Sequence, residues 1–393
     1  MADLDLTHPA VSDLRRRARR RMPRFAFEYL DSGTGSEGGV RTNRAGLDAV
    51  RFRPAILKGE LSFDLAAQAF ADHPLPFGIA PVGYAGLIWP DAEAILARAA
   101  ACHRIPYGQS TVATTLPEET GPLTDGMGWF QHYPVADPAI RRDMIDRIAA
   151  SGWEVLVVTV DVPGESRRER QRRANISIPP IVTPGMVAGM AACPAWTAGI
   201  ARRHRGRRPR MAFAESYTRG VEGDAFVHAG RLIRGYPDDA YIAAVREQWA
   251  GPLVVKGVQD PDDAERLIGM GVDGVWVSNH SGRQFEGGRA AVDDLRDVAE
   301  AVDGRARVFF CSGVTGGLDV LRAMALGADF VFLGKAWYFA LGAFGARGVE
   351  HLIHILRADL EANMAQLGIT RPQDARRRLH ELQQVDPIPA MQS

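Results

Sequence analysis

Val275-Trp276-Val277-Ser278-Asn279-His280-Ser281-Gly282-Arg283-Gln284 places a histidine and an arginine three residues apart directly after an apolar run. The run reads as a buried parallel strand, so Ser278, Asn279, His280 and Arg283 fall where the strand ends and its loop begins. A histidine can take a proton near neutral pH, and a guanidinium beside it can hold a carboxylate through two parallel hydrogen bonds. The pair points to a site that grips an anionic small molecule and deprotonates it. Polar loop residues are often merely solvated. Against that reading, other strands of the chain end in comparable clusters.

Working outward, short buried runs alternate with amphipathic helical stretches. The runs start at Phe77, Pro106, Gly128, Val155, Leu253, Val275, Val308 and Phe330, with helical segments such as Ala92 to His103, Pro261 to Met270 and Leu318 to Leu326 between them. Eight strands alternating with helices predict an α/β protein of the (β/α)8 TIM-barrel class, over about residues 76–345. An open doubly wound sheet is the competitor, but its G-x-G-x-x-G after a first strand is missing. Ahead of the barrel, Val11 to Tyr29 reads as one helix and D-S-G-T-G-S-E-G-G as a loop. The alternation breaks once, in an insertion after strand four at about 164–237 that carries R-R-E-R-Q-R-R, an apolar part and A-R-R-H-R-G-R-R-P-R. So long an excursion predicts either a solvated loop over the active site or a segment resting on an acidic lipid surface. The whole chain, 1–393, reads as one domain.

Balanced charge, 47 basic against 47 acidic residues, argues against a general nucleic-acid binder. Cys102, Cys193 and Cys311 are too few and too scattered for a disulfide framework or a zinc site, so no metal is expected and a reducing cytoplasm fits best. The first residues lack the pattern of a secretory signal, and no stretch reaches the ~18–20 apolar residues of a membrane span. The run from Arg15 to Arg21 reads as a charged helix face.

The residues that follow each run form a coherent set: Pro81-Val82-Gly83, Ser110, Gln131 with Tyr133, Thr159 with Asp161, Lys256, Ser278 with His280 and Arg283, Cys311-Ser312-Gly313, and Gly334-Lys335. Ser110, Gln131, Thr159 and Lys256 suit the edge of a heteroaromatic ring bearing carbonyl and NH groups. The glycine-rich loops after strands seven and eight suit a phosphate, because backbone NH groups approach closely where no side chain intervenes. Together they point to flavin mononucleotide, with Lys256 placed to stabilise negative charge on the reduced ring.

The motifs F-E-Y-L-D-S-G, I-A-P-V-G, W-F-Q-H-Y, T-V-D-V-P with R-R-E downstream, V-K-G-V, S-N-H-S-G-R-Q and A-L-G-A-D-F-V-F-L-G-K identify a wider likeness. From about Arg16 to Gly368 the chain resembles the FMN-dependent (S)-2-hydroxy-acid oxidases and dehydrogenases, which include glycolate oxidase, respiratory L-lactate dehydrogenase and (S)-mandelate dehydrogenase. The resemblance implies that His280 removes a proton from the hydroxy acid, by a hydride or a carbanion route, and that Asp161 stabilises its charged form. It implies carboxylate binding by Arg283 and Arg168, with Tyr29 and Tyr133 completing the substrate shell. Ser110, Gln131, Thr159, Lys256 and the backbone of Pro81-Val82-Gly83 would hold the ring. An oxygen molecule, a quinone or another carrier would take the electrons, and barrels of this kind often form homo-oligomers.

Departures concern the cofactor more than the substrate. Cys311 stands where the family has a ribityl-binding carboxylate, Thr315 where it has a phosphate-binding Arg, and Lys335 where Gly-Arg is usual. Lys offers a point charge and not a fork, which predicts a looser phosphate grip. Val82 replaces a Thr, and Ser281 a small residue. Gly83 and G-L-I-W-P resemble the mandelate dehydrogenase version, and a small residue over the ring favours an aromatic or long-chain substrate over glycolate. The insertion resembles the membrane-associating segment of the dehydrogenase members, which implies a cytoplasmic or peripheral inner-membrane location. Two alternatives stay open: a relative acting on a peptide-derived redox-cofactor precursor, and a flavin-free barrel used as a binding protein.

Overall fold

A computed structural model describes residues 2–174, 182–218 and 225–380. Its centre is a closed barrel of eight parallel strands in the order β8-β1-β2-β3-β4-β5-β6-β7. These are β1 (Phe77–Ile79), β2 (Tyr107–Ser110), β3 (Gly128–His132), β4 (Val155–Thr159), β5 (Leu253–Val258), β6 (Gly274–Val277), β7 (Arg307–Phe310) and β8 (Phe330–Leu333). Every apolar run expected to be a strand is one, within a residue or two at its ends. They read as continuous apolar runs because helices cover the outer face and side chains fill the inner one. Inside, Trp129, Trp276, Phe309 and Phe332 pack edge-on or tilted, with the Trp276 and Phe332 rings 4.1 Å apart. This aromatic plug closes the barrel below the mouth.

Three expectations are corrected. The single helix over Val11 to Tyr29 is two, Val11–Arg21 and Arg24–Asp31, because Pro23 cannot donate to the ladder and restricts Met22 to extended backbone. The basic run is not simply a solvated face: Arg15 pairs with Asp31, while Arg17 and Arg21 donate to the carbonyl of Ala343 at the end of helix Lys335–Phe344. The glycine-rich loop ends early, and helix Gly38–Ala49 grows out of it, its N-terminus capped by Glu286 from the loop after β6.

The insertion is also more ordered than a solvated loop. Its described part contains helices Glu169–Arg173, Pro184–Ala191, Pro194–His204, Ala212–Ser216 and Ala225–Leu232, while 175–181 and 219–224 lie outside the described residues. Trp196 is buried against Phe25 and donates to the carbonyls of Leu87 and Ile88, which anchors Pro194–His204 to the barrel rim. Val182 and Val187 remain exposed.

Candidate active site at the mouth of the barrel

Strand register sets the polar layer. Ser110 of β2 pairs with Gln131 of β3, and Thr159 of β4 pairs with Lys256 of β5. All four are buried. The Ser110 hydroxyl donates to Gln131 Oε1 at 2.7 Å, and among the described residues Gln131 Nε2 and Thr159 Oγ1 have no partner. Buried polar atoms are rarely left so. Unpartnered amide and hydroxyl atoms at the mouth, above an aromatic floor, are what the edge of an isoalloxazine ring would satisfy.

The histidine is held by its neighbours on β4 and β5. His280 Nδ1 lies 3.0 Å from Asp161 Oδ1, and Lys256 Nζ lies 3.9 Å from Asp161 Oδ2. Asp161 can come this close because of Gly257, whose φ is +107° and where a Cβ would sit 2.5 Å from Asp161 Cβ. His280 and Ser281 have φ of +54° and +57°, a conformation that costs of order 1–3 kcal/mol per residue and persists only where the surroundings enforce it. The enforcement is visible: Ser278 Oγ accepts from His280 N and from Lys256 Nζ, and Ser312 Oγ accepts from Ser281 N. Burial, with Lys256 and Arg168 nearby, lowers the imidazole pKa against the opposing pull of Asp161. Burial would raise the Asp161 carboxyl, but Lys256 and His280 together hold it low.

Arg283 donates through one nitrogen, Nη1, to the carbonyls of Leu30 and Ser32 at 3.2 and 2.7 Å, leaving the rest of its fork toward the cavity. Arg168 is steadied by Gln284 Oε1 and Ser166 Oγ. Burial and the facing Arg168 push the Arg283 guanidinium down to about 9. Among the described residues neither guanidinium has an ion pair, and a carboxylate would supply one. Tyr29 donates to Gly83 O at 3.0 Å. A Cβ at Gly83 would meet Val112 at 2.4 Å and approach the Tyr29 and Ser110 hydroxyls, so only glycine keeps this corner clear.

A cavity of about 1120 Å³ is lined by Tyr29, Pro81, Val82, Gly83, Tyr133, Arg168, Lys256, His280, Arg283, Cys311, Ser312, Gly313, Thr315, Gly334 and Lys335. Asp161, Ser110, Gln131, Thr159 and Ser278 stand just behind it in the contacts given above. All the residues singled out in the sequence therefore gather at one end of the barrel. Beside the loops after β7 and β8 the cavity is lined by Arg44 and Lys335. Thr315 donates to Asp319, and Arg44, which also lines the cavity, is engaged by Asp48 and Asp319. Lys335 Nζ donates to Asp31 O at 2.8 Å. Cys311 Sγ donates to Ser278 Oγ at 3.2 Å, the same oxygen that accepts from Lys256 Nζ. Sequence reasoning missed Asn43 and Arg44, which arrive on a helix more than two hundred residues from the loops they touch and carry no local signal.

This chain is 35% identical over 364 residues to L-lactate dehydrogenases of Pectobacterium atrosepticum and Xanthomonas campestris, covering 91% of this chain and 93% of each relative. A crystal structure of the monotopic membrane protein (S)-mandelate dehydrogenase superposes with a TM-score of 0.87 at 29% identity, covering 94% of this chain and 98% of that one. A crystal structure of Pediococcus acidilactici (putative) lactate oxidase gives 0.81 at 26% identity, covering 95% of each. Residues 18–381 match the FMN-dependent dehydrogenase family, and the chain belongs to that family of FMN enzymes.

Proposed function

We propose that the protein oxidises an (S)-2-hydroxy acid, mandelate-like or lactate-like, to the 2-oxo acid, with a bulky side chain favoured over glycolate. The observation that carries this reading is the His280–Asp161 pair at 3.0 Å in a cavity shared with two facing guanidiniums and Lys256. The substrate carboxylate bridges Arg283 and Arg168, with the Tyr29 and Tyr133 hydroxyls beside it. His280, neutral at pH 7 because its pKa is lowered, receives the substrate proton at Nε2 while Nδ1 faces Asp161. Asp161 stabilises the imidazolium and fixes the ring. FMN, when bound, supplies the two-electron acceptor. Gln131, Thr159 and Ser110 would hold its ring edge, Lys256 would face its developing negative charge, and the backbone at Pro81-Val82-Gly83 would lie against it. The loops at Cys311-Ser312-Gly313, Thr315 and Gly334-Lys335 would hold its ribityl phosphate.

Oxygen or a quinone-type carrier takes the electrons onward. Among the described residues no helix is long and apolar enough to cross a membrane. The exposed Val182 and Val187, with exposed Arg202 and Arg205 on the same insertion, support its peripheral contact with an acidic lipid surface at the cytoplasmic side. A homo-oligomer and a single functional domain complete the proposal.

An anaerobic absorbance titration of the purified holoenzyme with (S)-mandelate, L-lactate, glycolate and a long-chain 2-hydroxy acid tests it. Bleaching of the flavin band by mandelate, L-lactate or the long-chain acid, ahead of glycolate, is expected. No bleaching by any of them would overturn the proposal and favour a peptide-derived substrate.

A further inference from the structure

The inner end of the cavity is accounted for by the cofactor and the reacting carbons; its outer wall is not. Tyr29 and Tyr84 meet edge-on at 6.1 Å, and the Tyr84 hydroxyl donates to Pro209 O at 2.6 Å. These contacts fix the segment after helix Pro194–His204 over the side of the cavity that Gly83 leaves clear. The wall there is apolar: Leu87, Val112, Met186, Met190 and Ile200. The same cavity is then lined by Arg167, Arg172, Arg207 and Arg234. Among the described residues, Glu165 is the one acid paired with these four, 3.6 Å from Arg172 and 3.7 Å from Arg234. Among the described residues, the side chains of Arg167 and Arg207 have neither a hydrogen bond nor an ion pair.

We infer that the substrate is a 2-hydroxy acid whose side chain is an extended apolar stem ending in a second anionic group, a carboxylate, received by Arg207 and Arg167. The inference rests on the proposed function and deepens it. Lactate or mandelate would leave the outer wall and its arginines without a partner. A ω-carboxylated chain lays methylenes along Leu87, Met186 and Met190, each strengthening binding about four-fold if fully buried. It also brings its terminal charge to two exposed guanidiniums that lack one, and a solvent-exposed charge pair strengthens binding by about two- to five-fold.

The test uses the oxidised holoenzyme in vesicle-free buffer and reads the perturbation of the flavin absorbance by 2-oxo acids, which occupy the site without turnover. Expected is tighter binding of 2-oxosebacate than of 2-oxodecanoate, about two- to five-fold at low salt. The advantage should disappear in Arg207→Glu and shrink in Arg167→Ala, with phenylglyoxylate binding unchanged in both. Equal affinity for the two long acids, or an advantage that survives Arg207→Glu, would overturn the inference and leave the proposed function standing. Weaker binding of Arg207→Glu to phosphatidylglycerol vesicles, with 2-oxosebacate affinity unaltered, would assign the arginine to a lipid surface and also overturn it. If none of the 2-oxo acids, pyruvate and phenylglyoxylate included, perturbs the flavin, the underlying function fails and this inference with it.

Discussion

Asn43 and Asn279 exchange two side-chain amide hydrogen bonds, at 2.8 and 2.7 Å, and so join the helix Gly38–Ala49 to the residue that precedes His280. Asn43 Oδ1 also accepts from Ala291 N, and Asn279 Oδ1 from Gly282 N, so the pair ties down both ends of the loop that holds His280 in its left-handed conformation. Asn43→Ala leaves the Asn279 amide without its partner, a loss of about 1–3 kcal/mol in unfolding free energy. Denaturant unfolding should show that loss, and kcat should fall while the KM for substrate changes little, since no substrate contact is removed.

His280→Gln should abolish flavin reduction by substrate and leave flavin bound, which a single-turnover absorbance trace on the yellow protein would establish. Normal bleaching in this variant would refute the assignment of the base.

The kcat/KM profile should rise with pH as His280 loses its proton, with the acid limb below the ordinary imidazole value because burial lowers it. Asp161 opposes that shift by favouring the charged ring. Asp161→Asn should therefore move the limb further down and reduce kcat by on the order of 10²–10⁴-fold. An unmoved limb would sever the His280–Asp161 link.

Gly257→Ala puts a methyl 2.5 Å from Asp161 Cβ at a φ of +107°. The strain of about 1–3 kcal/mol should appear as a lower unfolding temperature, together with a slower chemical step as Asp161 is pushed from His280. Retention of both would show that the loop at Asp161 yields without consequence.

On the proposed function, Lys335 is the cation that would favour FMN over riboflavin, since Arg44 is taken up by Asp48 and Asp319. Burial, with Arg283 and Arg170 nearby, pushes its ammonium down to about 7 against the pull of Asp31 and Glu37. A bound phosphate favours the protonated form and raises that value. FMN affinity should therefore be greatest below pH 7 and fall as pH rises, while riboflavin affinity stays flat. Lys335→Met should weaken FMN about ten-fold at pH 6.5 and leave riboflavin unchanged in a fluorescence-quenching titration, as removal of one charge-assisted contact requires.

The barrel was legible from residue order alone, because parallel strands covered on both faces leave unbroken apolar runs such as Phe330-Val331-Phe332-Leu333, and the chemistry follows at their ends. His280, Asp161, Lys256, Gln131 and Thr159 could be named for that reason. Pro23 was equally legible as a helix breaker, yet the apolar periodicity on either side of it concealed the break. Only the tertiary structure decided what reaches the site from elsewhere: Asn43 and Arg44, the carbonyls of Leu30 and Ser32 that aim Arg283, and the insertion that brings Arg207 over the mouth. Those contacts join residues far apart in the chain, set by how helices dock on the rim, and no local pattern of side chains encodes a docking.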